Sequence, residues 1–236
     1  MTTIEAVAFD ADDTLWHSES LFQATQARLS EILDRYAPHD EVQARLHDTE
    51  ARNIRLFGYG VKGFTLSMVE AAIEISGQQV SAAEIHEIVM MGKAMLDNPL
   101  ELMDGVEAVL DGLAGRHRLL LITKGDHMDQ YNKIDKSGLA DRFDHIDVVL
   151  EKDVATYAEI FARHGVDTDR LVMIGNSMPS DILPILELGG HAVHIPYHVT
   201  ASFERHDRDP EHPRFRRLDR IAELPALLDG LQGGRV

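Results

Sequence analysis

Short runs of apolar residues recur along the chain, and such runs are typical of strands buried in a parallel sheet. They occupy residues 4–9, 119–123, 146–150, 171–175 and 192–196. From about residue 104 onward the runs alternate with segments in which apolar residues recur every three or four positions, at 106–113, 156–164 and 182–188. That spacing indicates amphipathic helices. The alternation of strand and helix predicts an α/β fold with a doubly wound parallel sheet.

The segment between the first two strands has a different pattern. It contains no run of β-branched residues, and its apolar spacing predicts helices near 18–36, 40–57, 64–77 and 81–96. We therefore expect a core of residues 1–16 and 103–236 that carries an all-helical insertion of residues 17–102. A helical bundle inserted at a sheet edge can act as a lid. The glycine-flanked loop at 58–64 either helps to select a substrate or is a flexible connection between helices.

Two carboxylates directly follow the first predicted strand. Asp10 and Asp12 are two residues apart, so their side chains point in the same direction, and Thr14 lies one step further along. If a cation offsets their repulsion, one carboxylate can attack an electrophile while the other transfers a proton. The alternative is a structural turn in which Asp13 or Thr14 caps the next helix.

Polar side chains also follow the second and third predicted strands. Thr123 and Lys124 bring a hydroxyl, an ammonium and turn amides to the carboxyl edge of the sheet, where they suit an oxyanion. Lys152 follows the third strand, and from there its ammonium can neutralise Asp10 and bind a phosphoryl group. An isolated lysine before a helix is more often a solvated side chain, so this assignment depends on the other motifs.

The fourth predicted strand leads through a glycine turn into a helix that carries Asn176 and Asp181. Magnesium prefers one or two carboxylates together with substrate oxygens and water, and Asp10 with Asp181 supplies such a pair. The competing interpretation is structural: Ser177 or Ser180 caps the helix, and Asp181 is an acid favoured in its first turn. Both interpretations can hold at once.

Composition restricts the class of partner. The 23 Lys and Arg residues stand against 40 Asp and Glu residues, which gives a net charge of −17. That charge disfavours nucleic acid and anionic membranes, so we expect a small diffusible substrate. There is no cysteine, which excludes disulfides and thiolate metal sites. No signal sequence and no membrane-spanning run is evident, so we expect a cytoplasmic protein; nothing indicates its oligomeric state.

The polar motifs follow their strands in a characteristic order: Asp10 with Asp12, then Thr123, then Lys152, then Asn176 with Asp181. This ordered set resembles the haloacid dehalogenase superfamily of aspartate-nucleophile phosphohydrolases. The resemblance covers the whole predicted core. It implies a Rossmann-like sheet and a helical cap inserted between the first and second motifs, where this chain has its long helical segment.

The resemblance also implies roles for individual residues. Asp10 resembles the nucleophile that forms an aspartyl-phosphate, and Asp12 resembles the general acid that protonates the leaving alcohol and later activates water. The implied phosphate-binding residues are Ala11, Thr123, Lys124 and Lys152. The implied Mg²⁺ ligands are Asp10, the main-chain carbonyl of Asp12, and Asp181. The expected activity is magnesium-dependent hydrolysis of a phosphate monoester, a small phosphorylated metabolite.

One residue departs from the family pattern. Many members carry an aspartate directly after the glycine of the fourth motif, whereas this chain has Asn176, which can still orient a metal-bound water. Three alternatives stay open: a phosphosugar mutase, a 2-haloacid dehalogenase and a non-catalytic phosphate-binding relative. Dehalogenases of this superfamily lack an acid/base aspartate at the position of Asp12, so this residue favours phosphorus chemistry.

Overall fold

A computed structural model describes residues 3–199 and 208–233 and contains a six-stranded parallel sheet. The strand order is β3-β2-β1-β4-β5-β6, which confirms the predicted doubly wound, Rossmann-like α/β fold. The strands are β1 (Ala6–Phe9), β2 (Arg118–Lys124), β3 (His145–Val149), β4 (Leu171–Gly175), β5 (His191–His194) and β6 (Phe215–Arg217). The sequence pattern did not indicate β6, because this strand is only three residues long and two of them are arginines.

Nine helices accompany the sheet within the described residues. Four lie in the inserted segment: α1 (Glu19–Ile32), α2 (His39–Phe57), α3 (Val61–Ile75) and α4 (Ala82–Asp97). The other five are α5 (Val106–Leu113), α6 (His127–Ser137), α7 (Val154–His164), α8 (Leu183–Glu187) and α9 (Leu224–Gly233). A π-helical turn, Met178–Ile182, precedes α8. Helices α6 and α9 were not among the predicted elements.

The side chains of each strand alternate between the two faces of the sheet, and both faces are apolar. Val7 and Phe9 of β1 belong to one buried cluster, to which α5, α6 and α9 contribute. Ala6 and Ala8 belong to a second cluster, to which α7 and α8 contribute. This burial on both faces explains the continuous apolar runs in the sequence.

The chain divides into two compact units. The α/β unit contains residues up to 19, 100–124 and those from 131 onward, and the helical unit contains residues 20–99 and 125–130. The sequence prediction had assigned residues 125–130 to the core. None of the described helices is both long and apolar enough to cross a membrane.

The helical unit has an apolar core of its own, centred on Leu29, Leu46, Met68 and Ile88. Helices α3 and α4 approach so closely that a Cβ on Gly92 would lie 2.1 Å from Thr65 Oγ1. The predicted loop at 58–64 is shorter than expected, because α3 begins at Val61 directly after Gly60, whose φ of 108° allows the sharp turn.

Candidate active site

The first and fourth strands end within one residue of the same level of the sheet, and β2 continues three residues beyond it. Phe9 is in register with Leu121 of β2 and with Ile174 of β4, and the Asp10 amide donates a hydrogen bond to the Ile174 carbonyl at 2.8 Å. Residues that follow these positions therefore meet at the carboxyl edge of the sheet, the usual location of ligand sites in open α/β sheets.

A buried ammonium joins two of the predicted carboxylates. Lys152 Nζ forms an ion pair with Asp10 Oδ1 and a second one with Asp181 Oδ1 at 2.7 Å. All three residues are buried, and Asp181 has no exposed surface. A charge at this depth is stable only with a partner, so the three side chains form one electrostatic unit. The structure thus brings together three predicted site residues that are far apart in sequence.

The burial and mutual contact of these three side chains shift the pKa values of Asp10 and Lys152. Burial, reinforced by the charge of Asp181, raises the pKa of Asp10 to about 7, although Lys152 acts in the opposite direction. Burial acts to lower the pKa of Lys152, but Asp10 and Asp181 outweigh it and raise that pKa well above its usual value. Lys152 is therefore a permanent cation, whereas the charge of Asp10 depends on its surroundings near neutral pH.

The second oxygen of Asp10 faces the fourth motif. Thr14 Oγ1 donates to Asp10 Oδ2 at 3.2 Å. The Asn176 amide orientation is assigned from its hydrogen-bond partners: its nitrogen donates to Asp10 Oδ2 at 3.1 Å and to the Asp12 carbonyl at 3.2 Å. A carboxylate oxygen and a main-chain carbonyl thus converge on one donor nitrogen. Asn176 is held in turn by His194, whose Nε2–H donates to the main-chain carbonyl of Asn176 at 2.9 Å.

Asp181 is fixed by the loop that carries it. Its Oδ2 accepts a hydrogen bond from the Ser177 amide at 3.0 Å, while its Oδ1 contacts Lys152. Gly175 permits this close packing, because a Cβ there would lie 2.2 Å from Asp181 Oδ2. The Ser177 hydroxyl also accepts from the Ser180 amide at 3.3 Å. The predicted capping role of Ser177 and the predicted placement of Asp181 in the site therefore coexist.

Asp13 has the capping role that the sequence suggested as an alternative. Its carboxylate accepts hydrogen bonds from the amides of Ser18 and Glu19, where α1 begins. Burial, followed by the charge of Asp12, raises the pKa of Asp13 to about 7. In the turn after β1, Asp13 therefore caps the helix, while Asp10 contacts Lys152 and Asp12 contacts Lys133.

The other predicted phosphate-binding residues lie around this edge. Thr123 is buried near the end of β2, two residues beyond the partner of Phe9. Lys124 Nζ donates to Ser180 Oγ at 2.9 Å, which links the second and fourth motifs. The Ala11 carbonyl accepts a hydrogen bond from the Leu15 amide at 2.8 Å, so it closes the turn. Phosphate binding by these residues stays a prediction.

Two residues that contact Asp12 were not found by the sequence analysis. Trp16 Nε1 donates to Asp12 Oδ1 at 2.7 Å, and Lys133 Nζ donates to Asp12 Oδ1 at 3.0 Å and to Oδ2 at 2.9 Å. Lys133 lies on α6, whose sequence has few apolar residues, so neither the helix nor its lysine stood out. Trp16 lies four residues after Asp12 in the sequence, but nothing in the sequence indicates that its indole donates a hydrogen bond to Asp12.

Known proteins that resemble this chain show which family it belongs to. The sequence profile of the haloacid dehalogenase-like hydrolases matches residues 4–189. The chain belongs to this hydrolase family. A haloacid dehalogenase-like hydrolase from Xanthomonas campestris is 39% identical, with a TM-score of 0.88 over 99% of this chain and 95% of that one. A search of curated proteins found no match.

Two more distant structures share the fold of this haloacid dehalogenase-like hydrolase. YfnB of Bacillus subtilis, a proposed HAD hydrolase that was solved bound to magnesium, is 19% identical, with a TM-score of 0.65 over 96% of this chain and 99% of that one. A 2-haloacid dehalogenase from Pseudomonas syringae is also 19% identical, with a TM-score of 0.65 over 97% and 100%. At this identity the likeness concerns the fold alone.

Some oxygen atoms of this site are suitable ligands for Mg²⁺. Within residues 3–199 and 208–233, no cluster of three or more Asp, Glu or His side chains is arranged to hold a metal. However, Asp10 Oδ2 and the Asp12 carbonyl converge on the Asn176 amide nitrogen. Mg²⁺ binds carboxylate, carbonyl and amide oxygens. These two oxygens, which both accept a hydrogen bond from the Asn176 amide nitrogen, therefore fit as ligands of Mg²⁺.

Proposed function

We propose that this hydrolase is a magnesium-dependent phosphatase that acts on a small phosphate monoester. In the first step Asp10 attacks phosphorus, the bond to the ester oxygen breaks, and Asp12 gives its proton to the departing alkoxide. In the second step Asp12 takes a proton from water, the water oxygen attacks the aspartyl-phosphate, and Asp10 is released with inorganic phosphate. Lys152, together with Thr123, would hold the phosphoryl oxygens.

The observation that carries this proposal is the position of Asp12. It lies two residues from Asp10, its side chain is partly exposed, and its carboxylate is held by side-chain donors. Phosphate ester cleavage needs a group that protonates the leaving oxygen, whereas displacement of a halide does not. A second carboxylate beside the nucleophile therefore favours phosphate esters as substrates.

Mg²⁺ would be held by Asp10 and the Asp12 carbonyl, and it would neutralise charge on the phosphoryl group. Asn176 would turn its side-chain amide so that the oxygen, rather than the nitrogen, faces the ion. The sequence analysis predicted Asp181 as a ligand, and this role remains a proposal. Both Asp181 oxygens are engaged, by Lys152 and by the Ser177 amide, so Asp181 would have to release one of them to bind the ion directly.

A second candidate function is the removal of halide from a 2-haloacid. The contact of the Asn176 amide with Asp10 and the Asp12 carbonyl favours it, because these oxygens are then satisfied without a metal ion. Asp10 would displace the halide from carbon and form an ester, which water would then hydrolyse. On this hypothesis Asp12 would have no step to perform. Phosphosugar mutase activity would use the same residues as the phosphatase and differ in the acceptor of the phosphoryl group.

Release of phosphate from p-nitrophenyl phosphate, with Mg²⁺ and with a chelator, tests the proposal. We expect turnover to need Mg²⁺ and to fall at least about 1,000-fold in Asp10→Asn, which lacks the nucleophile. Asp12→Asn should fall less with this substrate, because nitrophenolate leaves readily without a proton, and more with an alkyl phosphate. A panel of phosphorylated metabolites, assayed in the same way, would then identify the substrate.

Asp104→Asn is the matched control, since Asp104 is an exposed aspartate of the α/β unit. It should leave phosphate release unchanged. Chloride release from 2-chloropropionate is measured in parallel. Chloride release without phosphate release, or phosphate release that persists in Asp10→Asn, would overturn the phosphatase proposal.

A further inference from the structure

The carboxylate of Asp12 is held by donors from two separate elements. Trp16 Nε1 contacts Oδ1 from the same loop, and Lys133 Nζ contacts both oxygens from α6. This bidentate arrangement fixes the plane of the carboxylate as well as its position. A lysine that binds both oxygens also supplies a positive charge within 3.0 Å of each.

Both donors are themselves well anchored. Trp16 is completely buried in the apolar cluster, and its carbonyl accepts a hydrogen bond from the Asp13 amide at 2.7 Å. Ile134, the neighbour of Lys133, is buried in the same cluster and fixes that turn of α6 against the sheet. The Lys133 side chain is 16% exposed and that of Asp12 is 28% exposed. Asp12 is thus held from the protein side and still accessible from outside.

The two carboxylates of the first motif are therefore paired with different lysines. Lys152 contacts Asp10 together with Asp181, whereas Lys133 contacts Asp12. The mutual repulsion of Asp10 and Asp12 is offset at each of them separately.

We infer that Lys133 is a positioning residue for proton transfer to the leaving group. It holds Asp12 in one orientation, because its ammonium contacts both oxygens of the carboxylate. This inference rests on the proposed phosphatase function. It assigns Lys133 no contact with the phosphoryl group, so its effect should depend on how much the leaving group needs a proton.

Lys133→Met, which keeps the length of the side chain and removes its charge, tests this assignment. The quantity to measure is kcat/KM, because it reports steps up to the first cleavage of the ester bond. For ethyl phosphate, whose alkoxide needs a proton, we expect kcat/KM to fall about 100-fold. For p-nitrophenyl phosphate the fall should be smaller than about 5-fold, since general acid catalysis contributes little there. Equal losses for both substrates, or no loss for either, would overturn the inference.

Two further variants separate positioning from folding. Lys136→Met changes an exposed lysine on the same helix and should leave both kcat/KM values near those of the wild type. Lys133→Arg keeps a cation that can bind both carboxylate oxygens, and it should recover at least about a tenth of the ethyl phosphate activity. If Lys133→Arg is as impaired as Lys133→Met, a cation that can bind both oxygens of Asp12 is not what matters and the inference fails.

A second measurement does not depend on activity. Trp16 is the single tryptophan of the chain, and its indole shares Asp12 Oδ1 with Lys133. Lys133→Met should therefore alter the fluorescence emission of Trp16, whereas Lys136→Met should not. Unchanged emission in Lys133→Met would show that the contact is absent in solution. Failure of the wild type to hydrolyse any phosphate ester would overturn the proposed function, and the emission would still decide whether Lys133 holds Asp12.

Discussion

The α/β unit and the helices α1 to α4 differ in what they bury. The α/β unit buries charged side chains, among them Asp10, Lys152 and Asp181. Within α1 to α4 the buried polar residues are uncharged, and the ion pairs, such as Arg28 with Glu31, lie at the surface. Burial of a charge is costly, so the α/β unit must place each buried ion beside a partner, whereas the helices α1 to α4 contain no fully buried charge.

This difference shows where the sequence is under chemical constraint. In the buried ion-paired cluster of the α/β unit, a substitution that removes Lys152 leaves Asp10 and Asp181 buried and unpaired. In α1 to α4 the corresponding constraint is on shape, because their core is held by apolar contacts and by the close approach of α3 and α4. Variants that remove charge or add volume should therefore affect the two units differently.

The largest effect is expected from Lys152→Met. This change leaves Asp10 and Asp181 buried without a cation, and it should lower the free energy of unfolding by about 3–5 kcal/mol at pH 8 and abolish activity. The loss should be smaller at pH 5, where protonation can remove the uncompensated charge. Lys93→Met, at an exposed lysine of α4, is the control. Urea unfolding measures both, and equal stability of the two variants would contradict the contrast between the units.

A smaller effect is expected from Gly92→Ala. The new methyl group would collide with the Thr65 side chain and should lower the free energy of unfolding by about 1–3 kcal/mol, despite the better helix propensity of alanine. Adding Thr65→Ala removes the two nearest atoms and should restore part of the loss. Gly112→Ala is the control in the α/β unit: nothing lies within 4 Å of its added Cβ, so it should be neutral or slightly stabilising. Thermal unfolding followed by circular dichroism distinguishes these outcomes.

The smallest effect concerns Glu50, a partly buried acid on α2. Burial raises its pKa from 4.5 to about 7. The folded state therefore binds this proton more tightly than the unfolded state, and the resulting stability is complete below about pH 4 and lost as the pH rises through 7. Glu50→Gln should raise the free energy of unfolding at pH 8 by about 1–2 kcal/mol relative to the wild type and flatten its dependence on pH between 5 and 8. Asp48→Asn, at an exposed position of the same helix, should do neither.

The fold and most of the site follow from local patterns. The apolar runs predicted five of the six strands, and the structure starts or ends most of them within two residues of the expected positions. Asp10, Lys152 and Asp181 were selected because each follows such a run, and parallel strands bring their carboxyl ends to one edge. A three-residue strand with two arginines and a polar helix such as α6 lack this periodic signal, so β6 and α6 were missed.

The sequence by itself determined five of the six strands, the helical insertion and the set of motifs, because these depend on side-chain patterns along short stretches of chain. The pairing of Lys152 with Asp10 was predicted, but only the tertiary structure decided that Lys152 also pairs with Asp181 and that Lys133 pairs with Asp12. It also decided that the Asn176 amide contacts the Asp12 carbonyl. Such pairings depend on distances of about 3 Å between residues that are remote in sequence, and no local pattern encodes those distances.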